Sequence, residues 1–319
     1  MRLEGYPATS FWKKLSSLWR VWGITSQLEK EGIELFHGLS NELPLNIHKS
    51  RIKSIVTIHD LIFLRYPQYY QSIDRKIYTY KFRKACENAD KIIAISECTK
   101  RDIIRYFNIP DDKIEVVYQG CDVSFTHPVT EEKKEEVRKK YQLPDHYILN
   151  VGSIEERKNI LAAVQALPML PQHIHIVIVG RRTGYTEKVE QFIKDNGLGE
   201  RVHIISNVPF NDLPAFYQSA EIFVYPSRFE GFGIPIIEAL YSGIPVVAAT
   251  GSCLEEAGGP DSIYVNPDDI TGLADAFKQI YSNSDKRKNM VEKGREFAKR
   301  FSEKQQSEEI INIYKKLIR

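Results

Sequence analysis

The chain has 319 residues, 42% of them hydrophobic, with 44 basic residues against 42 acidic ones and a formal charge of +2. That length accommodates two domains of roughly 150 residues each, and the near-neutral balance excludes the strong basic excess by which nucleic-acid binding usually shows. No run approaches the roughly 18 consecutive apolar residues of a spanning helix and no basic-then-apolar leader opens the chain, so a cytoplasmic protein is expected.

From the N-terminus, residues 11–28 carry Trp12, Trp19 and Trp22 beside Lys13, Lys14 and Arg20. The spacing of Leu15, Leu18, Trp19, Trp22 and Leu28 predicts an amphipathic helix packed in the first domain. The competing reading lays this stretch on an anionic membrane surface, a peripheral contact with the inner face of the membrane.

Short β-branched runs then alternate with amphipathic stretches, the pattern of parallel sheets covered on both faces. Strands are predicted at Ile55–Ile58, Lys91–Ile95 and Glu115–Tyr118. The first runs into a His-Asp turn at His59 and Asp60. Ser96 has the chemistry of an N-cap for a helix reaching Phe107, which Asn108-Ile109-Pro110 ends. Asp111-Asp112 reads as a surface turn. Residues 130–140, TEEKKEEVRKK, place nine charges in eleven positions, which suits a solvated helix at a domain boundary. The four cysteines (Cys86, Cys98, Cys121, Cys253) show neither CxxC spacing nor nearby histidine pairs, so reduced thiols are expected in preference to a disulfide or zinc framework.

A second series of strands is predicted at Tyr147–Val151, Ile174–Val179, Val202–Ile205, Ile222–Tyr225 and Pro245–Ala249, each leading into a loop rich in Gly, Pro, Asn or Ser. Ligands of open parallel sheets bind beyond the carboxyl ends of the strands, so chemistry is expected in those loops. The first is Gly152-Ser153-Ile154-Glu155-Glu156-Arg157-Lys158-Asn159. With Asn159 as the N-cap of the next helix, Arg157 and Lys158 would sit at the positive end of its dipole, a ready anion site. Arg binds two phosphate oxygens at once and Lys adds a point charge.

The loop Asn207-Val208-Pro209-Phe210 follows the third strand. Between IFVYPS and a helix opened by Pro235 lies Arg228-Phe229-Glu230-Gly231-Phe232-Gly233, with Glu238 a turn inside the helix and Gly243-Ile244-Pro245 beyond it. The glycines leave backbone amides open to a polar ligand. Glu230 and Glu238 are placed for different tasks; the bland alternative is a turn with two solvated glutamates. Phe301–Arg319 reads as one helix with Ser302 as N-cap and Gln305 at the capping-box position.

Glu230 and Glu238, with seven residues between them in EGFGIPIIEAL followed by GIPVV, resemble the E-x7-E motif of glycosyltransferase family four. The resemblance runs from about Ile33 to the end, through Thr57-Ile58-His59-Asp60, Ser96…Thr99-Lys100 and Gly120-Cys121-Asp122. It implies an α/β GT-B fold, two Rossmann-like domains facing a central cleft. Residues 1–130 would form the acceptor-side domain, 145–302 the nucleotide-sugar domain, and 303–319 a helix packing back on the first. Family members begin with a strand and a glycine-rich loop; nothing like it precedes Phe11, so the first domain is expected to lack them.

The implied activity is retaining transfer of a hexose from a nucleoside-diphosphate sugar, such as a GDP- or UDP-hexose, to a glycan or lipid-linked acceptor in cell-surface polysaccharide or glycoconjugate synthesis. No cofactor and no metal are expected, since no DxD sits in a suitable loop. Carried over by the motifs, Glu230 and His59 contact the sugar and Glu238 the ribose hydroxyls. Gly231, Phe232 and Gly233 face the donor through their backbone. Gly152, Ser153, Arg157 and Lys158 surround the diphosphate, and Val208 meets the nucleobase. Many members have an Arg where this chain has Ser153, so Arg157 is expected to supply that charge. Two other functions share the features: a nucleotide-sugar 2-epimerase, whose acid–base carboxylates cannot be assigned in the first half, and a nucleotide-sugar-binding pseudoenzyme.

Overall fold

The computed structural model describes residues 19–318. The chain divides into two compact units, one formed by the chain up to Val117 together with Glu308–Arg319, the other by Tyr118–Ser307.

In the first unit four parallel strands lie in chain order: β1 Leu35–Gly38, β2 Lys53–Ile58, β3 Lys91–Ala94 and β4 Ile114–Val116. Alternate residues of a strand point to opposite faces. Val56, Ile58, Ile92 and Ala94 therefore pack on one side with Leu28, Ala85 and Ile103 of three helices, Ile24–Lys30, Ser72–Asn88 and Glu97–Phe107. Ile55 and Ile93 face the other side and are covered by Ile313 of the last helix. β1 escapes sequence reading because it has only four residues, one of them His37, and no alternation to detect.

The N-terminal aromatic stretch departs from expectation. Trp19 and Leu28 are buried, but Trp22 is 52% exposed. The turn Trp19–Gly23 is a π-helix, wider than an α-turn, and it shifts the apolar stripe before the helix Ile24–Lys30 begins. Trp12, Lys13, Lys14, Leu15 and Leu18 lie outside the described residues.

In the second unit six parallel strands, β5 Tyr147–Val151, β6 His175–Val179, β7 Val202–Ile205, β8 Ile222–Tyr225, β9 Val246–Ala249 and β10 Ile263–Val265, are ordered β10-β9-β8-β5-β6-β7. β8 and β9 are buried throughout, as strands covered on both faces are. The chain lays β5, β6 and β7 side by side, then returns to the opposite side of β5 with β8. Neighbouring strands β5 and β8 thus mark a topological switch point, from which the chain runs on in opposite directions. The three-residue β10 was not legible in the sequence.

Residues 130–140 lie within the second unit as the helix Glu131–Tyr141, capped by the Thr130 hydroxyl. Its charged face is only partly solvated. Lys133, Lys140 and the Tyr141 hydroxyl converge on the buried Asp212 at 2.9, 2.8 and 2.8 Å, while Val137 is fully buried. All four cysteines are buried thiols, and among the described residues no helix is long and apolar enough to cross a membrane.

Ser96 caps the helix Glu97–Phe107 as its position predicted. Its hydroxyl accepts from the Thr99 amide at 3.0 Å and donates to Thr99 Oγ1 at 3.0 Å, fully buried. Asn108, in the left-handed region at φ 57°, ends the helix. Ser96→Ala is expected to destabilise the protein by about 1–2 kcal/mol, because it leaves a buried helix-end amide without its side-chain acceptor. Urea denaturation of the two proteins measures the difference, and equal midpoints with equal slopes would contradict the capping role.

Candidate active site at the switch point of the six-stranded sheet

The loops that follow β5 and β8 meet because their strands are neighbours. The Arg228 amide donates to the Arg157 carbonyl at 2.9 Å, and the Arg157 guanidinium donates to the Phe229 carbonyl. That backbone stitching sets the side chains. Arg157 Nη1 lies 2.8 Å from Glu230 Oε2, and Lys158 Nζ lies 3.5 Å from Glu230 Oε1. Only 13% of the Glu230 side chain is exposed, against 14% for Arg157 and 17% for Lys158. Burial alone would raise the Glu230 pKa, but the charges of Lys158 and Arg157 outweigh it and hold the carboxyl below the ordinary carboxylate range.

Glycines permit the approach. Gly152 sits at φ 151°, and a Cβ there would stand 3.1 Å from Lys158 Nζ, so a larger residue would press on the cation. Gly180, after β6, runs so close beneath this loop that a Cβ would fall 1.8 Å from the Gly152 carbonyl oxygen.

One local expectation needs correction. Asn159 does not cap the following helix with its side chain. It adopts φ 54°, and its amide donates to the Pro226 carbonyl at 3.3 Å and the Pro267 carbonyl at 2.8 Å, so it ties three loops together. Arg157 and Lys158 do precede a helix, as expected. They lie on the 3-10 turn Glu156–Lys158 before a helix of seven residues, and their side chains are directed to Glu230. Ser153 donates to Glu155 Oε1 at 2.6 Å and brings no cation to the loop.

Glu238 lies inside the helix Ile234–Ser242, where Tyr217 donates to its Oε2 at 2.6 Å. Burial raises its pKa, and the Tyr217 bond only partly offsets that. Gly231 and Gly233 flank Phe232, whose ring is buried, stacked on Tyr118 and edge-on to Phe301. Phe232 can therefore offer only its backbone to a ligand. Val208 is half-buried in the loop after β7, two strands away from β5. His59 belongs to the first unit, at the carboxyl end of β2. Its amide donates to Asn41 Oδ1 at 2.7 Å, and its Nε2 lies 2.8 Å from the Leu39 carbonyl, the geometry of a donated hydrogen bond.

Three residues of this neighbourhood had no assignment in the sequence. Tyr225, at the end of β8, places its hydroxyl 3.2 Å from Glu230 Oε1. Tyr217 backs Glu238. Cys253 donates its thiol to the carbonyls of Glu230 at 3.0 Å and Phe232 at 2.7 Å. Only Tyr225 carried a signal, a hydroxyl at the last position of an otherwise apolar strand that leads into the motif.

Glu230→Gln removes the anion and leaves two largely buried cations without it. The variant is expected to lose about 3 kcal/mol at neutral pH, the scale for breaking one side of a buried pair. A depressed folded-state pKa contributes stability that is present above the unfolded-state pKa and is lost as pH falls through the folded-state value. The gap between wild type and variant should therefore close on acidification below the ordinary carboxylate range. Thermal melts across pH measure it, and a gap independent of pH would contradict an ionised Glu230.

Comparison with known proteins identifies the scaffold. The family model for glycosyl transferases group 1 matches residues 131–297, and that for glycosyltransferase family 4 matches residues 2–125. The O-antigen chain mannosyltransferase B of Escherichia coli is 31% identical over 289 residues, 89% of this chain and 74% of that protein. The O-antigen chain mannosyltransferase RfbU of Salmonella typhimurium is 29% identical over 225 residues, 70% of this chain but 60% of that protein, less than two thirds of its length. The structure of a sucrose-phosphate synthase from Thermosynechococcus elongatus superposes with a TM-score of 0.79 at 22% identity, covering 98% of this chain and 80% of that one. The fold, two α/β units with parallel sheets, is the GT-B fold. The chain belongs to the glycosyl transferases of group 1 and is a glycosyltransferase.

Proposed function

We propose that this glycosyltransferase moves a hexose, mannose by likeness to the two O-antigen mannosyltransferases, from a nucleoside-diphosphate sugar to a glycan or lipid-linked acceptor in polysaccharide synthesis. The anomeric configuration is retained and no metal is required. The observation that supports this most is the ion-paired group Glu230–Arg157–Lys158 at the switch point of the sheet, with Glu238 one helix turn on.

The bond from the anomeric carbon to the diphosphate breaks, and negative charge gathers on the diphosphate oxygens. Arg157 and Lys158 receive that charge, and preorganised charge of this kind is often the largest catalytic contribution. Glu230, relieved of its cations, turns its carboxylate to the sugar, where positive charge develops. Glu238 accepts hydrogen bonds from the vicinal ribose hydroxyls. The acceptor oxygen bonds to the anomeric carbon on the face the diphosphate leaves, and the acceptor hydroxyl passes its proton to the departing diphosphate oxygen. Two cationic side chains supply what a bound divalent ion would otherwise do.

The test is transfer of labelled mannose from GDP-mannose, with UDP-hexoses in parallel, to lipid-linked oligosaccharide in the presence of EDTA. The product anomer is read by NMR. Transfer with retention is expected. Inversion at C2 of the donor would establish an epimerase, binding without turnover a pseudoenzyme, and loss on chelation restored by Mn²⁺ a metal-dependent transferase. Lys158→Ala is expected to cost about 2–4 kcal/mol of transition-state stabilisation. Turnover near wild type at saturating donor would remove Lys158 from the leaving-group site.

A further inference from the structure

Behind each of the two glutamates stands one buried tyrosine. Tyr225 is 2% exposed, and its hydroxyl lies 3.2 Å from Glu230 Oε1 and 3.2 Å from Lys158 Nζ. Lysine has no lone pair to offer, so the hydroxyl accepts from Lys158 and donates to Glu230. Tyr217, fully buried in the helix Leu213–Ser219, donates to Glu238 at 2.6 Å. The two rings flank Phe223, at 5.3 Å from Tyr217 and 5.9 Å from Tyr225, so one aromatic row braces both. Burial raises both phenols well above their ordinary pKa, so each keeps its proton and stays a donor.

A buried tyrosine hydroxyl needs a partner, and two other tyrosines of this unit use backbone. Tyr147 donates to the Phe216 carbonyl and Tyr264 to the Gly259 carbonyl, both at 2.6 Å. Tyr225 and Tyr217 instead direct theirs to the two motif carboxylates. Their place differs from that of Arg157 and Lys158 as well. Those cations are the groups an anionic ligand draws away, whereas a phenol anchored in the core stays with its glutamate.

We infer that Tyr225 and Tyr217 are positioning residues, Tyr225 aiming Glu230 at the donor sugar and Tyr217 aiming Glu238 at the donor ribose. Each tyrosine then carries the kinetic signature of its own glutamate. This rests on the roles proposed above for the two glutamates. Charge-assisted bonds of this type are worth about a tenfold effect or more when one partner is removed. Uniform binding appears in KM, and stabilisation made only in the transition state appears in kcat.

The pH dependence follows from the groups around Glu238: the Tyr217 hydroxyl, with Asp122 and Cys121 on the segment before it. Burial and Asp122 raise its pKa, and the Tyr217 bond lowers it. Removal of the phenolic hydroxyl lets the carboxylate protonate at higher pH, so donor affinity should fail earlier on acidification.

Tyr225→Phe and Tyr217→Phe test this, with thermal melts, GDP and UDP titration calorimetry, and steady-state transfer kinetics. Tyr225→Phe is expected to lower kcat about tenfold while the nucleoside-diphosphate Kd stays within about twofold. Tyr217→Phe should raise that Kd and the donor KM about tenfold with kcat nearly unchanged, and move the acid limb of kcat/KM to higher pH. In a Glu238→Gln background Tyr217→Phe should add nothing further, and likewise Tyr225→Phe on Glu230→Gln. Equal losses in kcat and affinity for both variants, additive double variants, or lowered melts with unchanged kinetics would each overturn the inference. Wild-type protein that neither binds a nucleoside diphosphate nor transfers sugar would overturn the proposed function itself, a separate outcome.

Discussion

A carboxylate drawn out of water costs several kcal/mol unless opposite charge meets it at close range. Glu230 is such a carboxylate, and the carboxyl ends of β5 and β8 are arranged around it. The requirement is topological before it is chemical. Arg157 and Lys158 follow β5, Glu230 follows β8, and these segments become neighbours only because the chain leaves β5 toward β6 and β7 and then returns to its other side. A sheet laid down in simple order would have put β8 three places away. The switch point that leaves a crevice in any such sheet here also brings opposite charges from two loops into contact.

The loop that carries Glu230 is held from two further sides. Cys253 donates to the Glu230 and Phe232 carbonyls, and the Phe232 ring is clasped by Tyr118 and Phe301. Backbone motion at Glu230 is therefore restrained, and what remains adjustable is the direction of its side chain. On the other loop, Gly152 keeps the backbone thin enough for Lys158 to lie against it, and Gly180, after β6, lets its own loop pass close to the Gly152 carbonyl. The rigid parts are backbone and core rings; the exchangeable parts are two cations and one anion.

Periodicity was enough for the interior. The bounds of β5, β7 and β8 match their apolar runs, and Ser96 and Ser302 cap the helices their chemistry suggested. Short elements were not legible: β1 and β10 have four and three residues, too few for any period to declare itself. Trp22 was misread because a π-turn breaks the phase on which helical spacing rests, and Asn159 because a side chain able to cap one helix found two carbonyls in other loops. Spacing alone could not bring Arg157 and Lys158 to Glu230, since that depends on strand order; their common assignment came from the resemblance. Tyr217 and Cys253 stayed silent for the same reason. Each is an ordinary core residue until the neighbouring strand and helix deliver a carboxylate or a carbonyl to it.

The charge balance of the site bears on how the proposed reaction begins. Arg157 and Lys158 face the largely buried Glu230, and Glu155, more exposed, adds a second carboxylate 3.8 Å from Arg157, so the cations are already balanced before any ligand arrives. A neutral sugar could not compete for those cations, whereas the proposed diphosphate would bring more negative charge than Glu230 does and compete for both at once. In that proposed exchange Arg157 would keep its bond to the Phe229 carbonyl while its guanidinium changes partner. In the proposed reaction Glu230 would exchange part of that compensation for the positive charge growing at the sugar, an interaction stronger in the transition state than before it. The ion pairs of the ligand-free protein thus keep the Glu230 carboxylate charged and in place.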